Sequence, residues 1–110
     1  MGSEVLKIRG GIHMYARLTL LKISRDRINE FAKRYKESVI TAAKSQKGYH
    51  GARVFMDRKT GNGMVITLWE SEEDAVANEK NRYYQEQIAK FITFYKKPPI
   101  REGYEVVFQD

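Results

Sequence analysis

Apolar and polar positions alternate through residues 15–21, Tyr15-Ala16-Arg17-Leu18-Thr19-Leu20-Leu21, which is the period of a β-strand. Ala16, Leu18 and Leu20 fall on one side, expected to face helices, and Tyr15, Arg17, Thr19 and Leu21 on the other. The period then changes. Ile28, Phe31, Ala32, Tyr35, Val39, Ala42 and Ala43 recur at helical spacing up to about Ser45, with Ser24 placed as the N-cap. Gly48 breaks that pattern, and alternation returns from Tyr49 to Met56 and again over 64–69, the two runs separated by the turn-rich Asp57-Arg58-Lys59-Thr60-Gly61-Asn62-Gly63. This predicts a hairpin with a loop longer than the tightest turns.

Trp69 ends the second run and Glu70-Ser71-Glu72-Glu73-Asp74 follows at once. Ser71 has capping-box spacing, and three acids in the first turn complement the positive end of a helix dipole. The helical region runs to about Lys96, with Asn78 and Asn81 as the expected break into two helices and Tyr84, Ile88, Phe91, Ile92 and Tyr95 as its apolar stripe. Pro98 and Pro99 stop it, and Tyr104, Val106 and Phe108 alternate as a last strand.

The order strand, helix, strand, strand, helix, strand is that of an α+β, ferredoxin-like βαββαβ sandwich, an antiparallel sheet with both helices on one face. The helix-facing side is expected to hold His50, Ala52 and Val54, then Val65, Thr67 and Trp69; the far face would carry Met64, Ile66 and Leu68, joined by Tyr15, Leu21 and Phe55. An apolar patch of that size marks an interface, so a homodimer packed sheet to sheet is expected.

Composition narrows the chemistry. The 110 residues suit one domain, and positions 1–13, which include Met1-Gly2-Ser3 and His13, read as an expression-tag remnant or a disordered N-terminus ahead of a single domain at 14–110. No apolar run approaches the roughly 20 residues of a spanning helix, and no secretory signal is visible, so a cytoplasmic protein is expected. With no cysteine and two isolated histidines, disulfides, thiolate nucleophiles and most metal sites are excluded by residue type, and no metal is expected.

The strand Arg17-Leu18-Thr19-Leu20, the entry Gly48-Tyr49, and above all Val65-Ile66-Thr67-Leu68-Trp69-Glu70-Ser71 before an acidic helix start resemble the antibiotic biosynthesis monooxygenase family over Tyr15 to about Phe108. The resemblance implies a dimeric α/β barrel with a pocket between sheet and helices. Its members include enzymes that oxidise polycyclic aromatics with oxygen and no cofactor, quinol oxygenases and haem-degrading monooxygenases. In the haem-degrading branch Trp69 would sit over the ligand, but the asparagine and the iron-ligating histidine of that branch fall at Ala16 and Ile88, which have neither an amide nor a lone pair to offer. No cofactor is therefore expected.

Trp69, Tyr84, Phe31, His50 and Phe91 are the candidate ligand contacts: flat apolar surface with one or two polar groups to orient a small aromatic molecule. The plain alternative is that they fill the core. His50 is the weak catalytic candidate, as a side chain that can act as a base near neutral pH. The readings left open are a cofactor-independent monooxygenase on an aromatic or quinol-like substrate and a non-catalytic dimeric carrier or sensor of a lipophilic metabolite. An RNA-binding module is disfavoured despite the net charge of +6, because Lys47-Gly48-Tyr49 departs from the RNA-recognition motif after three residues and the basic face of the first helix reads as a solvated surface.

Overall fold

A computed structural model describes residues 14–110; the expected tag remnant at 1–13 lies outside the described residues. Four strands, β1 (Tyr15–Lys22), β2 (Tyr49–Met56), β3 (Asn62–Trp69) and β4 (Ile100–Glu105), form one antiparallel sheet in the order β2-β3-β1-β4. The helical segments between β1 and β2 and between β3 and β4 complete the ferredoxin-like α+β arrangement.

The first helical stretch is continuous but not uniform. It opens with a 3-10 turn (Arg25–Arg27), runs through α1 (Ile28–Tyr35), passes a π-helical segment (Lys36–Ile40) and ends as α2 (Thr41–Lys44). Ser24 stands at the start, yet its hydroxyl makes no cap bond; its carbonyl accepts from the Arg27 N–H instead. Ile28, Phe31, Tyr35, Val39, Ala42 and Ala43 are buried, so the apolar period read from the sequence does face the sheet.

Ser71 caps α3 (Glu72–Lys80), its hydroxyl accepting the Asp74 N–H at 3.1 Å. Asn81, extended at ψ 124°, ends α3 and caps α4 (Arg82–Ala89) by accepting the Tyr84 N–H at 2.9 Å. The expected break is therefore at Asn81, while Asn78 lies within α3. The helix stops at Ala89, and a 3-10 turn (Ile92–Phe94) rotates Phe94 into the core and leaves Ile92 exposed, the reverse of a stripe that counts Ile92 as core. The last strand starts directly after the prolines and ends at Glu105, leaving Phe108 exposed.

Register decides the faces. Residues directly opposite in an antiparallel pair share a face. Tyr15, Arg17, Thr19 and Leu21 lie opposite Trp69, Thr67, Val65 and Gly63, so they face the helices; Ala16, Leu18 and Leu20, opposite Leu68, Ile66 and Met64, face away. This reverses the phase expected for β1 and removes Tyr15 and Leu21 from the outer face. In β2 a bulge between Tyr49 and Gly51 resets the alternation: Tyr49 takes the helix side opposite Trp69, His50 is the extra residue and is exposed, and Ala52 and Val54 face inward as expected. The outer face then carries Leu18, Leu20, Met64, Ile66 and Leu68, with Phe55, Ile100 and Tyr104 exposed around them.

The core lies between the helix face and the helices. Phe31 is its hub, stacked on Tyr35 with centroids 5.0 Å apart and meeting Phe91 and Phe94 edge-on at 5.7 and 5.5 Å. Burying a large apolar side chain of this kind contributes roughly 1.5–3 kcal/mol. Among the described residues no helix is long and apolar enough to cross a membrane.

Candidate functional site

Trp69 closes the end of β3. It is 1% exposed, meets Tyr49 edge-on at 5.6 Å, and donates its indole N–H to Thr67 Oγ1 at 2.9 Å. A buried indole needs such an acceptor, and here the chain supplies it two residues back on the same face of the strand. Across the ladder from Thr67 stands Arg17. A charged side chain on the interior face of a sheet is costly unless paired; Arg17 forms an ion pair through Nε with Glu79 near the end of α3, and its Nη2 also donates to Glu79 Oε1 at 3.3 Å. The Arg101 guanidinium of β4 reaches the same carboxylate at 4.0 Å. Two cations thus share one anion between sheet and helix, with Arg17 and Glu79 only 18% and 20% exposed.

One residue before Glu79, Asn78 is buried, and its Oδ1 has no hydrogen-bond partner among the described residues. Tyr84, one turn into α4, lies beside it. Burial pushes the Tyr84 phenol above its usual range, while Arg101 and a hydrogen bond from Asn78 pull it back in part. Burial also raises Tyr35 strongly, reinforced by Tyr84 and Tyr95, and raises Tyr95, in both cases opposed by Arg101. All three are neutral phenols at neutral pH, able to donate a hydrogen bond. The aromatic wall beneath them is Phe31 and Phe91.

Of the residues picked from the sequence, Trp69, Phe31, Tyr84 and Phe91 are all buried in the layer between sheet and helices. His50 does not join them: the bulge places its imidazole at the surface, with Nε2 3.0 Å from Glu70 Oε2. Arg17, Asn78, Glu79 and Arg101 were missed. The available signal was Arg17, the single charge in the alternating run 15–21, on the alternation that the ladder pairs with Thr67 and Trp69. Ala16 faces the outer side of the sheet, so it has no part in this layer. No group of three or more His, Asp or Glu residues that could hold a metal ion occurs among the described residues.

The family model for antibiotic biosynthesis monooxygenases matches residues 14–90, well over half of the chain. The chain belongs to the antibiotic biosynthesis monooxygenase family. Solved structures of the same fold include a candidate antibiotic biosynthesis monooxygenase from Caulobacter crescentus, 17% identical with TM-score 0.74, the match covering 98% of this chain and 100% of that one. SnoaB, a cofactor-independent oxygenase from Streptomyces nogalater, is 7% identical with TM-score 0.73, covering 87% and 95%. A protein of unknown function from Nitrosomonas europaea is 15% identical with TM-score 0.72, covering 92% and 96%. At these identities the likeness is one of fold. No curated protein matches the sequence. Membership in this monooxygenase family fixes the architecture.

Proposed function

We propose that this family member is a cofactor-independent monooxygenase for a small aromatic or quinol-like substrate, held between sheet and helices beside Trp69. The observation that supports it is the cluster of Arg17, Glu79 and Arg101 next to the unpartnered Asn78 Oδ1: a partly desolvated place with surplus positive charge and an acceptor lacking its donor. A hydroxylated ring satisfies both, one oxygen beside the guanidinium groups and one O–H donating to Asn78. Phe31, Phe91, Tyr84 and Trp69 supply the apolar walls.

Oxygenation without a cofactor needs a substrate whose anion can give an electron to oxygen. Arg17 and Arg101 favour that anion by Coulomb attraction, Tyr84 donates to its oxygen, and Glu79 accepts the proton. One electron passes from the anion to dioxygen; the resulting radical and superoxide combine at carbon to form a peroxide. The peroxide anion takes back the proton held on Glu79, and loss of water then turns the attacked carbon, an activated CH2 in the keto form of the substrate, into C=O, so one oxygen atom enters the product and the other leaves as water. The fold relative SnoaB, described as a cofactor-independent oxygenase, is compatible with this chemistry. His50, exposed and paired with Glu70, has no role in it.

The functional unit in this proposal is a homodimer joined through the outer sheet face, where Phe55, Ile100 and Tyr104 are exposed and Leu18, Leu20, Ile66 and Leu68 only partly buried among the described residues. That face also suits the second reading, a dimeric carrier or sensor that binds a lipophilic metabolite without turnover. Oxygen-electrode measurements over a panel of quinols and polycyclic phenols separate the two. Uptake above the uncatalysed rate, reduced about a hundredfold or more in Arg17→Met and Glu79→Gln, supports the oxygenase. Saturable quenching of Trp69 fluorescence with no oxygen uptake by any compound supports the carrier.

A further inference from the structure

At the end of the sheet opposite Trp69, three segments distant in sequence meet around an open concavity of about 680 Å³. The end of β1 contributes Lys22 and the adjoining turn Arg25, the β2–β3 hairpin Arg58 and Lys59, and the segment after the last 3-10 turn Lys96; Asp26 is the one acid in the lining. Tyr15, beside Trp69, and Lys22 are the two ends of β1, so about 24 Å of strand separates this concavity from Trp69 and about 17 Å separates it from Arg17.

Two features distinguish these cations from ordinary surface charges. Their segments are locked together through the backbone: the Ile23 N–H donates to Gly61 O at 2.9 Å, the Lys96 N–H donates to Lys22 O at 2.8 Å, and Gly61 N–H closes the loop on Asp57 O at 2.8 Å. Gly61 sits at φ +82°, where a Cβ would collide with Ile23 O, so the close approach depends on glycine. Secondly, three of the heads are oriented by neutral oxygens. Lys22 Nζ donates to Thr60 O at 3.0 Å, Arg25 Nη1 to Lys59 O at 3.3 Å, and Arg58 Nη2 to Asn29 Oδ1 at 2.8 Å. None of the five has a carboxylate partner among the described residues, whereas Arg27, Lys33 and Arg34 on the adjoining helix are all paired with Glu30 or Glu37.

We propose that this concavity is a binding site for a phosphorylated small molecule. Five cations against one acid, including two planar guanidinium forks with donors to spare, match the charge and geometry of phosphoryl oxygens. A nucleic-acid strand fits worse, because a polymer needs a continuous basic track, and Arg27, Lys33 and Arg34 on the adjoining helix are paired with Glu30 or Glu37.

Inorganic pyrophosphate is the probe, titrated into the full chain by calorimetry at physiological salt. One saturable site is expected. The double substitution Arg58→Ala with Lys59→Ala, and Lys96→Ala separately, should each weaken binding about tenfold or more, while Lys44→Ala, an exposed cation on α2, should leave it unchanged. Circular dichroism checks that the variants are folded. Absence of saturable heat, or equal weakening by Lys44→Ala, overturns the proposal. So does a single-stranded RNA that binds through Arg58 and Lys59 more tightly than pyrophosphate, since the partner would then be a polymer.

Discussion

Trp69 donates its indole N–H to Thr67 Oγ1 at 2.9 Å, within one strand and wholly inside the protein. The pair replaces water for a donor that cannot be left bare, and it sets the ring edge-on to Tyr49. Thr67→Val keeps the shape and removes the acceptor, so it should destabilise the fold by about 1–3 kcal/mol. Denaturant unfolding followed by the emission of Trp69, the single tryptophan, measures this directly.

Arg17 and Glu79 are coupled across the sheet–helix layer and should behave as a unit. Removing Glu79 leaves Arg17 and Arg101 facing each other without their shared anion; removing Arg17 leaves a carboxylate in a partly desolvated site. In a double-mutant cycle with Arg17→Met and Glu79→Gln, the double variant should be more stable than the sum of the single losses predicts, with a coupling of about 0.5–3 kcal/mol. Additive losses would mean that solvent already screens the pair.

Alkali should unfold the protein through its tyrosines. Burial raises the folded-state values of Tyr35, Tyr84 and Tyr95, so the folded chain holds these phenolic protons more tightly than the unfolded chain. That contribution to stability is fully present below the unfolded value near 10 and is lost as pH rises through the raised folded values. Stability should therefore fall from about pH 10 upward, with tyrosinate absorbance appearing together with unfolding. Tyr35→Phe should remove part of the slope.

Ile66, paired with Leu18 and Arg53 on the outer face, tests association without touching the helix layer. Light scattering should give about twice the 12.9 kDa chain mass for the native protein and the single-chain mass for Ile66→Glu, whose circular dichroism should be unchanged. A native monomer at micromolar concentration would remove the sheet-to-sheet dimer.

Much of this architecture was legible from local signals, and the misplaced parts share one cause. Ser71 and Asn81 act through bonds to N–H groups three residues ahead, so their neighbours in sequence are enough to locate both helix starts. The faces of β1 are different. Because both sides of this sheet are apolar, Ala16-Leu18-Leu20 outscores Tyr15-Arg17-Thr19-Leu21 in hydrophobicity although the second set is inside. The tie is broken by pairing with β3 and by Glu79, sixty-two residues away from Arg17, and neither is a local property. His50 differs for a related reason: the bulge adds one residue before the ladder resumes at Gly51, so period-two counting back from Val54 and Ala52 places His50 inside when it is the extra, exposed residue. Of the candidate site, the burial of Trp69, Phe31, Tyr84 and Phe91 could be read in advance, whereas the ion cluster could not, since it exists only once β1, β4 and α3 are assembled.

The irregularity at Gly51 has an effect on the company the protein keeps. β2 is one of the two outermost strands, and an outermost strand offers free backbone N–H and C=O groups on which another chain can build. The interruption between Tyr49 and Gly51 breaks that row, and Gly51 takes a φ of +132° outside the range of a regular strand. Endless side-by-side growth along β2 is thereby discouraged, and the broad apolar face is left as the surface through which two copies would meet and stop in the proposed dimer.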